Sequence, residues 1–353
     1  MRSISLALYE ANMSDLISVA KLAGVSRATA ARAFSDPHLL RADTLEKVLS
    51  ASEQLGFRPN HIARQLRTQS STTFGVLLPS LLNPIFARQL QAMERQARAA
   101  GYGLLVATSD YQPEREAAMV EHMLNQRVAG LVLTVADADN SAILHTLHQA
   151  SMPFVLTHNV PQATHWPAIC VDNRQAMQQA TEHLLQLGHR HIGMVAGPML
   201  QSDRARLRYQ GYCDAMQQAG LRALPVLEMP SHTQSDFALL QPQLSGDTPL
   251  SAVICTNDLL AISLIGAAAR AGVRIPQQLS VMGFDGIDIG EQIAPSLASV
   301  SQPADMLGAG AIDMLLQQAS RGTRVLPHRL RLGASIAAPA TSFSSIANIR
   351  EPS

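Results

Sequence analysis

The stretches of this 353-residue chain whose residue types and spacing could do chemistry mostly suit recognition. SRATAARAF (26–34) places Arg27 and Arg32 on an alanine-rich segment behind a serine. A guanidinium can bond bidentately to guanine, a methyl such as that of Ala28 can only touch a thymine methyl, and Thr29 suits a phosphate or a packing contact. The alternative for each arginine is a solvated surface charge, the weaker reading given the motif around them. His189 and His191 in GHRHIG invite a metal, but they sit between a helix end and a strand with no third ligand in view. Gly101-Tyr-Gly103 lacks the third glycine of a dinucleotide fingerprint. No GxSxG, Walker loop or HExxH occurs, so neither a catalytic residue nor a cofactor is expected.

Two short helices must position the arginines. Leu16, Val19, Ala20 and Ala23 share one face at helical spacing. Gly24 allows the positive φ of a tight turn, Val25 plugs the corner, and Ser26 can cap the next helix. This is the pattern of a helix-turn-helix, whose second helix enters the major groove, or of an ordinary helical hairpin. TLEKVLSASEQL (44–55) reads as a third helix, with Leu45, Val48, Leu49 and Leu55 closing a small core.

AKLAGVSRATAARAF followed by GFRPNHIARQLRT resembles the lactose-repressor (LacI/GalR) family of transcription regulators. Its pattern is roughly VAxxAGVSxxTVSRVL, a third helix, then G-[YF]-x-P-N-x-x-A-R-x-L, and the likeness covers about fifty residues of head. Ala30 and Ala31 depart from the usual Val and Ser, which removes a hydroxyl that would meet a phosphate. Arg41 stands where a Ser or Thr cap is common; it cannot cap but could meet a phosphate. The resemblance implies a hinge helix over 60–68, capped by Asn60 and ordered when two copies pair on DNA. There Arg64 belongs to the motif, and Leu66 is the apolar wedge that kinks the minor groove. The DNA-contacting set is then Ser26, Arg27, Ala28, Thr29, Arg32, Asn60, Arg64 and Leu66.

Composition agrees. The chain has formal net charge zero, but residues 14–68 hold eight Lys and Arg against five Asp and Glu, a modest basic footprint that suits a dimeric reader. Cys170, Cys213 and Cys255 are odd in number and far apart, which fits free thiols in a reducing cytoplasm. No run approaches the roughly 18 apolar residues of a membrane span, and MRSISLALYEANM lacks the apolar region of a signal peptide. Met13 is a second candidate initiator, with 1–13 a tail or a misplaced start.

From Phe74 onward short apolar runs alternate with amphipathic segments: FGVLL, GLLVAT, GLVLTV and FVLT, then HIGMVAG, ALPVLEM, AVICTND and LSVMGFD. Continuous apolar strands are the mark of a parallel sheet covered on both faces. Two successive series predict two similar α/β subdomains with a cleft between them, which resembles the periplasmic-binding-protein-like core of the same family, two doubly wound parallel-sheet subdomains behind an all-α head. The expected division is a head over 14–59, a first subdomain over 73–171 and 303–326, a second over 172–302 and 327–340, and a tail over 341–353.

What the resemblance implies for ligand binding falls on strand ends and the helix after GP. Arg208 in RYQGY, Asn257 in CTNDLLA and Asp285 in VMGFDGID match residues that the family uses. They offer donors and an acceptor to a sugar, a nucleoside or another polar metabolite. Ser80, Phe86 and Asp110 are candidates on the opposite wall, although PSLLNPIF could be only a turn into a helix, with Phe86 in the core. Arg204, Arg206 and Arg208 admit an anionic effector, but helical spacing cannot aim all three inward, so two are expected to face solvent.

The implied protein is a cytoplasmic homodimer that binds a pseudo-palindromic operator under control of a small effector. A solute-binding protein or an α/β enzyme could share the core fold. The head argues against both. The tail shows no leucine heptads for a tetramerising coiled coil.

Overall fold

The structure, a computed structural model, describes residues 16–57, 71–163, 166–318 and 322–340. The hinge segment with Asn60, Arg64 and Leu66, and the expected tails 1–13 and 341–353, lie outside the described residues. The chain divides into two compact units, residues 1–70 and 71–353.

In the first unit, α1 (Leu16–Leu22) and α2 (Arg27–Ser35) meet at Gly24, whose φ of +66° makes the turn. Ser26 caps α2 by accepting from Thr29 N at 3.1 Å. The third helix, α3 (Ala42–Gln54), starts two residues earlier than its sequence pattern, and Arg41 at its N-cap makes no side-chain bond. Val19, Ala20, Ala30, Ala33, Val48 and Ala51 form the core, which Phe34 and Phe57 close with ring centroids 5.5 Å apart. Leu49, expected inside, is 47% exposed, because it falls one residue off the buried face of α3.

The second unit holds two six-stranded sheets. The first subdomain runs β1 (Thr73–Leu78), α4 (Pro84–Ala99), β2 (Gly103–Thr108), α5 (Pro113–Asn125), β3 (Leu131–Leu133), α6 (Ala142–Gln149), β4 (Phe154–Thr157) and β5 (Ala168–Val171). The second runs α7 (Asn173–Gln186), β6 (Ile192–Ala196), α8 (Asp203–Gln218), β7 (Leu227–Glu228), α9 (Phe237–Leu240), β8 (Ala252–Cys255) and α10 (Asp258–Arg270). It continues through β9 (Ser280–Asp285), α11 (Ile289–Gln292) and β10 (Ala298–Ser301). The chain then returns to the first with α12 (Ala304–Leu316) and β11 (Thr323–Leu326), and finishes in the second with β12 (Arg329–Arg331).

Strand order is β11-β5-β4-β3-β1-β2 in one sheet and β12-β10-β9-β8-β6-β7 in the other. Every pairing is parallel except β12, which runs antiparallel on β10. Helices cover both faces of each sheet over separate apolar clusters. ALPVLEM, expected as a full strand, contributes only Leu227–Glu228 at a sheet edge, since Pro225 cannot donate to a ladder.

Helices α7 and α8 approach closely at Gly211, where a Cβ would lie 2.0 Å from the Arg174 carbonyl oxygen. Gly266 on α10 is different: its nearest neighbour is an Arg270 Nη at 3.5 Å. Alanine favours a helix over glycine by about 1 kcal/mol. Gly266→Ala is therefore expected to raise the urea midpoint slightly. Gly211→Ala should lower stability by about 1–3 kcal/mol, because overpacking outweighs propensity. Equal behaviour of the two variants in urea unfolding would contradict this packing.

Candidate functional site

On the head, Arg27, Ala28 and Arg32 are exposed and Thr29 half-buried, so the first turn of α2 presents the expected side chains to solvent. The Ser26 hydroxyl is engaged with both the backbone N and the Oγ1 of Thr29, which fixes the start of the helix. Ala30 is fully buried, and there the missing Val costs volume rather than a contact with solvent.

In the core a polar cavity opens between the ends of the two sheets, lined from both subdomains. Its centre is Asp285, the last residue of β9, held at φ +121°, a conformation that L-residues adopt only under strain. Its carboxylate accepts from Asn83 Nδ2 and from Gln302 Nε2, both at 2.8 Å, with Arg208 Nη1 at 3.8 Å. Burial pushes this carboxyl upward while Arg208 opposes the shift.

Arg208 lies across the Phe284 ring at 3.6 Å, donates from Nε to Asn173 Oδ1 at 2.8 Å, and donates from Nη1 to the Thr256 carbonyl. Burial lowers its pKa to about 10, still charged at neutral pH. The Asn257 amide serves two partners: Oδ1 caps α10 by accepting from Leu260 N, and Nδ2 donates to the His232 carbonyl at 2.8 Å. Phe86 reaches the cavity and meets the His158 ring edge-on.

Four of the six sequence candidates, Phe86, Arg208, Asn257 and Asp285, thus line one cavity. Ser80 and Asp110 do not. The Ser80 hydroxyl closes a turn onto Leu82 N, as PSLLNPIF allowed. Asp110 is exposed and paired with Arg115. Positive φ at Asp110 and Tyr111 (+49° and +59°) turns the tyrosine into the cavity instead. The arginine cluster also differs from expectation: two of the three, Arg204 and Arg208, are buried in the cavity lining, and only Arg206 turns aside to Asp137. One helical turn separates 204 from 208, which puts both on one face of α8.

Asn83, Tyr111, His158, Arg204, His232 and Gln302 line the cavity without having been expected in it. Most follow strand ends, as Asp285 does, but none stands in a motif. Tyr111, from the first subdomain, stacks on His232 of the second at 3.8 Å. His158 touches Gln302 through Nδ1 and Gln89 through Nε2. Burial, and then the charge of Arg204, depress His158 to about 3 and His232 to about 4, so both rings are neutral.

Beside the cavity the start of α8 is fastened to the loop after β3. Asp203 N donates to Ala136 O, and Arg204 Nη1 donates to Val135 O at 2.7 Å. The Asp203 carboxylate accepts from Asn159 Nδ2 and Ala138 N, and the Ala138 carbonyl accepts from Trp166 Nε1. Glu116 accepts from Ala136 N at 2.7 Å, and burial raises it to about 7. His189 bonds Ser251 Oγ and the Ala337 carbonyl, a tie between the corner before β6 and the C-terminal segment. No cluster of three or more His, Cys, Asp or Glu able to hold a metal occurs among the described residues.

A helix-turn-helix head ahead of a two-subdomain core with a polar cleft defines a class, the DNA-binding transcription regulator. Residues 15–60 match the family model for bacterial regulatory proteins of the lacI family. Residues 71–333 match that for periplasmic binding proteins and the sugar binding domain of the LacI family. The chain belongs to the LacI family. It is similar to the HTH-type transcriptional regulator GntR of Escherichia coli, 33% identical over 316 residues, 89% of this chain and 94% of that one. The HTH-type transcriptional repressor PurR of Pasteurella multocida is 29% identical over 308 residues, 87% of this chain and 92% of its own. The Lac repressor dimer bound to operator and the anti-inducer ONPF aligns with a TM-score of 0.83 at 28% identity, over 92% of this chain and 100% of that one. No helix among the described residues is long and apolar enough to cross a membrane.

Glu116 binds its proton more tightly in the folded chain than in the unfolded one, where its pKa is near 4.5. The stability from that proton is complete below about pH 4.5 and is lost as pH rises through about 7. Glu116→Gln keeps an acceptor for Ala136 N. It should melt above the wild type at pH 8 and with it near pH 4.5. An unchanged difference between the two pH values would contradict the assignment.

Proposed function

We propose that this regulator binds a two-fold symmetric operator as a homodimer and that a small polar effector in the core cleft sets its operator affinity. Arg27 and Ala28 read base edges, Arg32 contacts DNA one turn further on, and Ser26 and Thr29 hold the helix start against phosphate. The hinge over 60–68, with Asn60, Arg64 and Leu66, pairs with its copy on the minor groove. The effector lies among Phe86, Arg208, Asn257 and Asp285, between subdomains 73–171 with 303–326 and 172–302 with 327–340. The protein acts in the cytoplasm, as a regulator and not an enzyme.

The observation that carries this is the Asp285 carboxylate, which is bound from both sides of the cleft by Asn83 and Arg208. A ligand that competes for those groups changes the relation of the subdomains, and through them whether the hinges can pair. Linkage requires that operator and effector alter each other's affinity by the same factor. Repression is the sign of action we assign, in common with the relative named a repressor.

Selection of bound duplexes from a random pool tests the reading; enrichment of a symmetric site is expected, and none at low salt would refute it. On the selected site Arg27→Ala should cost roughly 10- to 100-fold and relax preference at one base pair per half-site, as loss of a bidentate contact does. Fluorescence anisotropy against matched and substituted duplexes measures both. A uniform loss across all duplexes would make Arg27 a phosphate contact.

A further inference from the structure

The pairing of charges in the cleft conceals an imbalance in hydrogen bonding. Arg204 is backed by Asp203 at 3.3 Å and Arg208 by Asp285, so formal charge cancels. The acceptors, however, are occupied: Asp203 by Asn159 and Ala138 N, Asp285 by Asn83 and Gln302. The donors are not. Arg204 uses Nη1 alone, on Val135 O and Asp203, which leaves Nε and Nη2 without a partner among the described residues. Arg208 uses Nε and Nη1 and leaves Nη2.

Tyr111 and Thr256 line the same cavity, and their hydroxyls, which can donate or accept, have no hydrogen-bond partner among the described residues. Arg204 and Arg208 are only 4% and 7% exposed, and both line the cavity, where their unpaired donors are open to water or to a ligand. Two buried cations side by side also repel: the charge of Arg204 helps lower the pKa of Arg208. A neutral polyol would bring as many donors as acceptors. An oxyanion brings acceptors only and separates the two cations.

We propose that the cleft takes a hydroxylated metabolite bearing one oxyanion, a carboxylate or phosphate ester, with the anion between Arg204 and Arg208. This rests on the cleft being the effector site proposed above. Arg204 is then the residue that selects acids over neutral sugars.

The full chain is titrated calorimetrically at fixed ionic strength with inorganic phosphate and with acetate. D-ribose, D-glucose, their aldonates and their terminal phosphate esters follow. We expect phosphate or acetate to bind, whichever anion binds naming the class, and the acids to bind more tightly than the parent sugars. Arg204→Gln should lose anion affinity roughly 10- to 100-fold, as loss of charge-assisted bonds does. Arg206→Gln, whose side chain leaves the cavity, should retain it and shows that the fold tolerates charge loss on α8. Failure of both anions to bind, neutral sugars binding as well as the acids, or an unchanged Arg204→Gln would each overturn the proposal.

Operator affinity is measured in parallel. A neutral sugar that shifts it supports the effector cleft and overturns the oxyanion. An anion that binds without shifting it supports the chemistry and overturns the coupling to DNA.

Discussion

A carboxylate buried at the end of a strand is costly unless several donors meet it, and Asp285 is the group around which the core is arranged. Its partners come from distant parts of the chain: Asn83 before α4, Arg208 on α8 and Gln302 after β10. Asn83 and Arg208 belong to opposite subdomains, so the carboxylate is satisfied only while they stay together. Removing one partner leaves a buried charge incompletely paired, which is far more damaging than losing a surface ion pair. The strain at Asp285, with φ +121°, persists because these bonds over-determine it.

The same logic shapes the neighbouring contacts. Asn257 is at once the cap of α10 and the support of the His232 backbone, so the position that shapes the pocket also terminates a helix. His158 and His232 remain neutral because burial and Arg204 both disfavour a further cation. Unlike the histidines, Arg208 keeps its charge in such surroundings.

Much of the fold was legible in the sequence because it rests on period. Apolar runs of four to six residues gave the parallel strands, and Gly24 with Ser26 gave the turn of the head. Edge elements were less legible. β7 is only two residues long although ALPVLEM reads as a full strand, and β12 lies antiparallel in an otherwise parallel sheet without a continuous apolar run. Within the cleft, Arg208, Asn257 and Asp285 stand in recognisable motifs. Asn83, Tyr111, His158 and Gln302 do not, since single polar residues after strands acquire meaning only when the two sheets face each other. Asp110 misled for a local reason: consecutive left-handed residues swing its neighbour into the cavity in its place. Arg204 and Arg208 were separable from Arg206 by helical spacing, yet how many point inward depends on the face that α8 turns to the cleft.

Trp166 is the only tryptophan in the chain. Its indole N–H is held by the Ala138 carbonyl at 3.2 Å, while the Ala138 amide donates to Asp203 on the other side of the cleft. Separation of the subdomains would break the second of these bonds and alter the surroundings of the first. A single indole therefore sits one residue away from a bond that spans the cleft, and its emission is expected to shift with closure, with no label needed and no second tryptophan to confuse it.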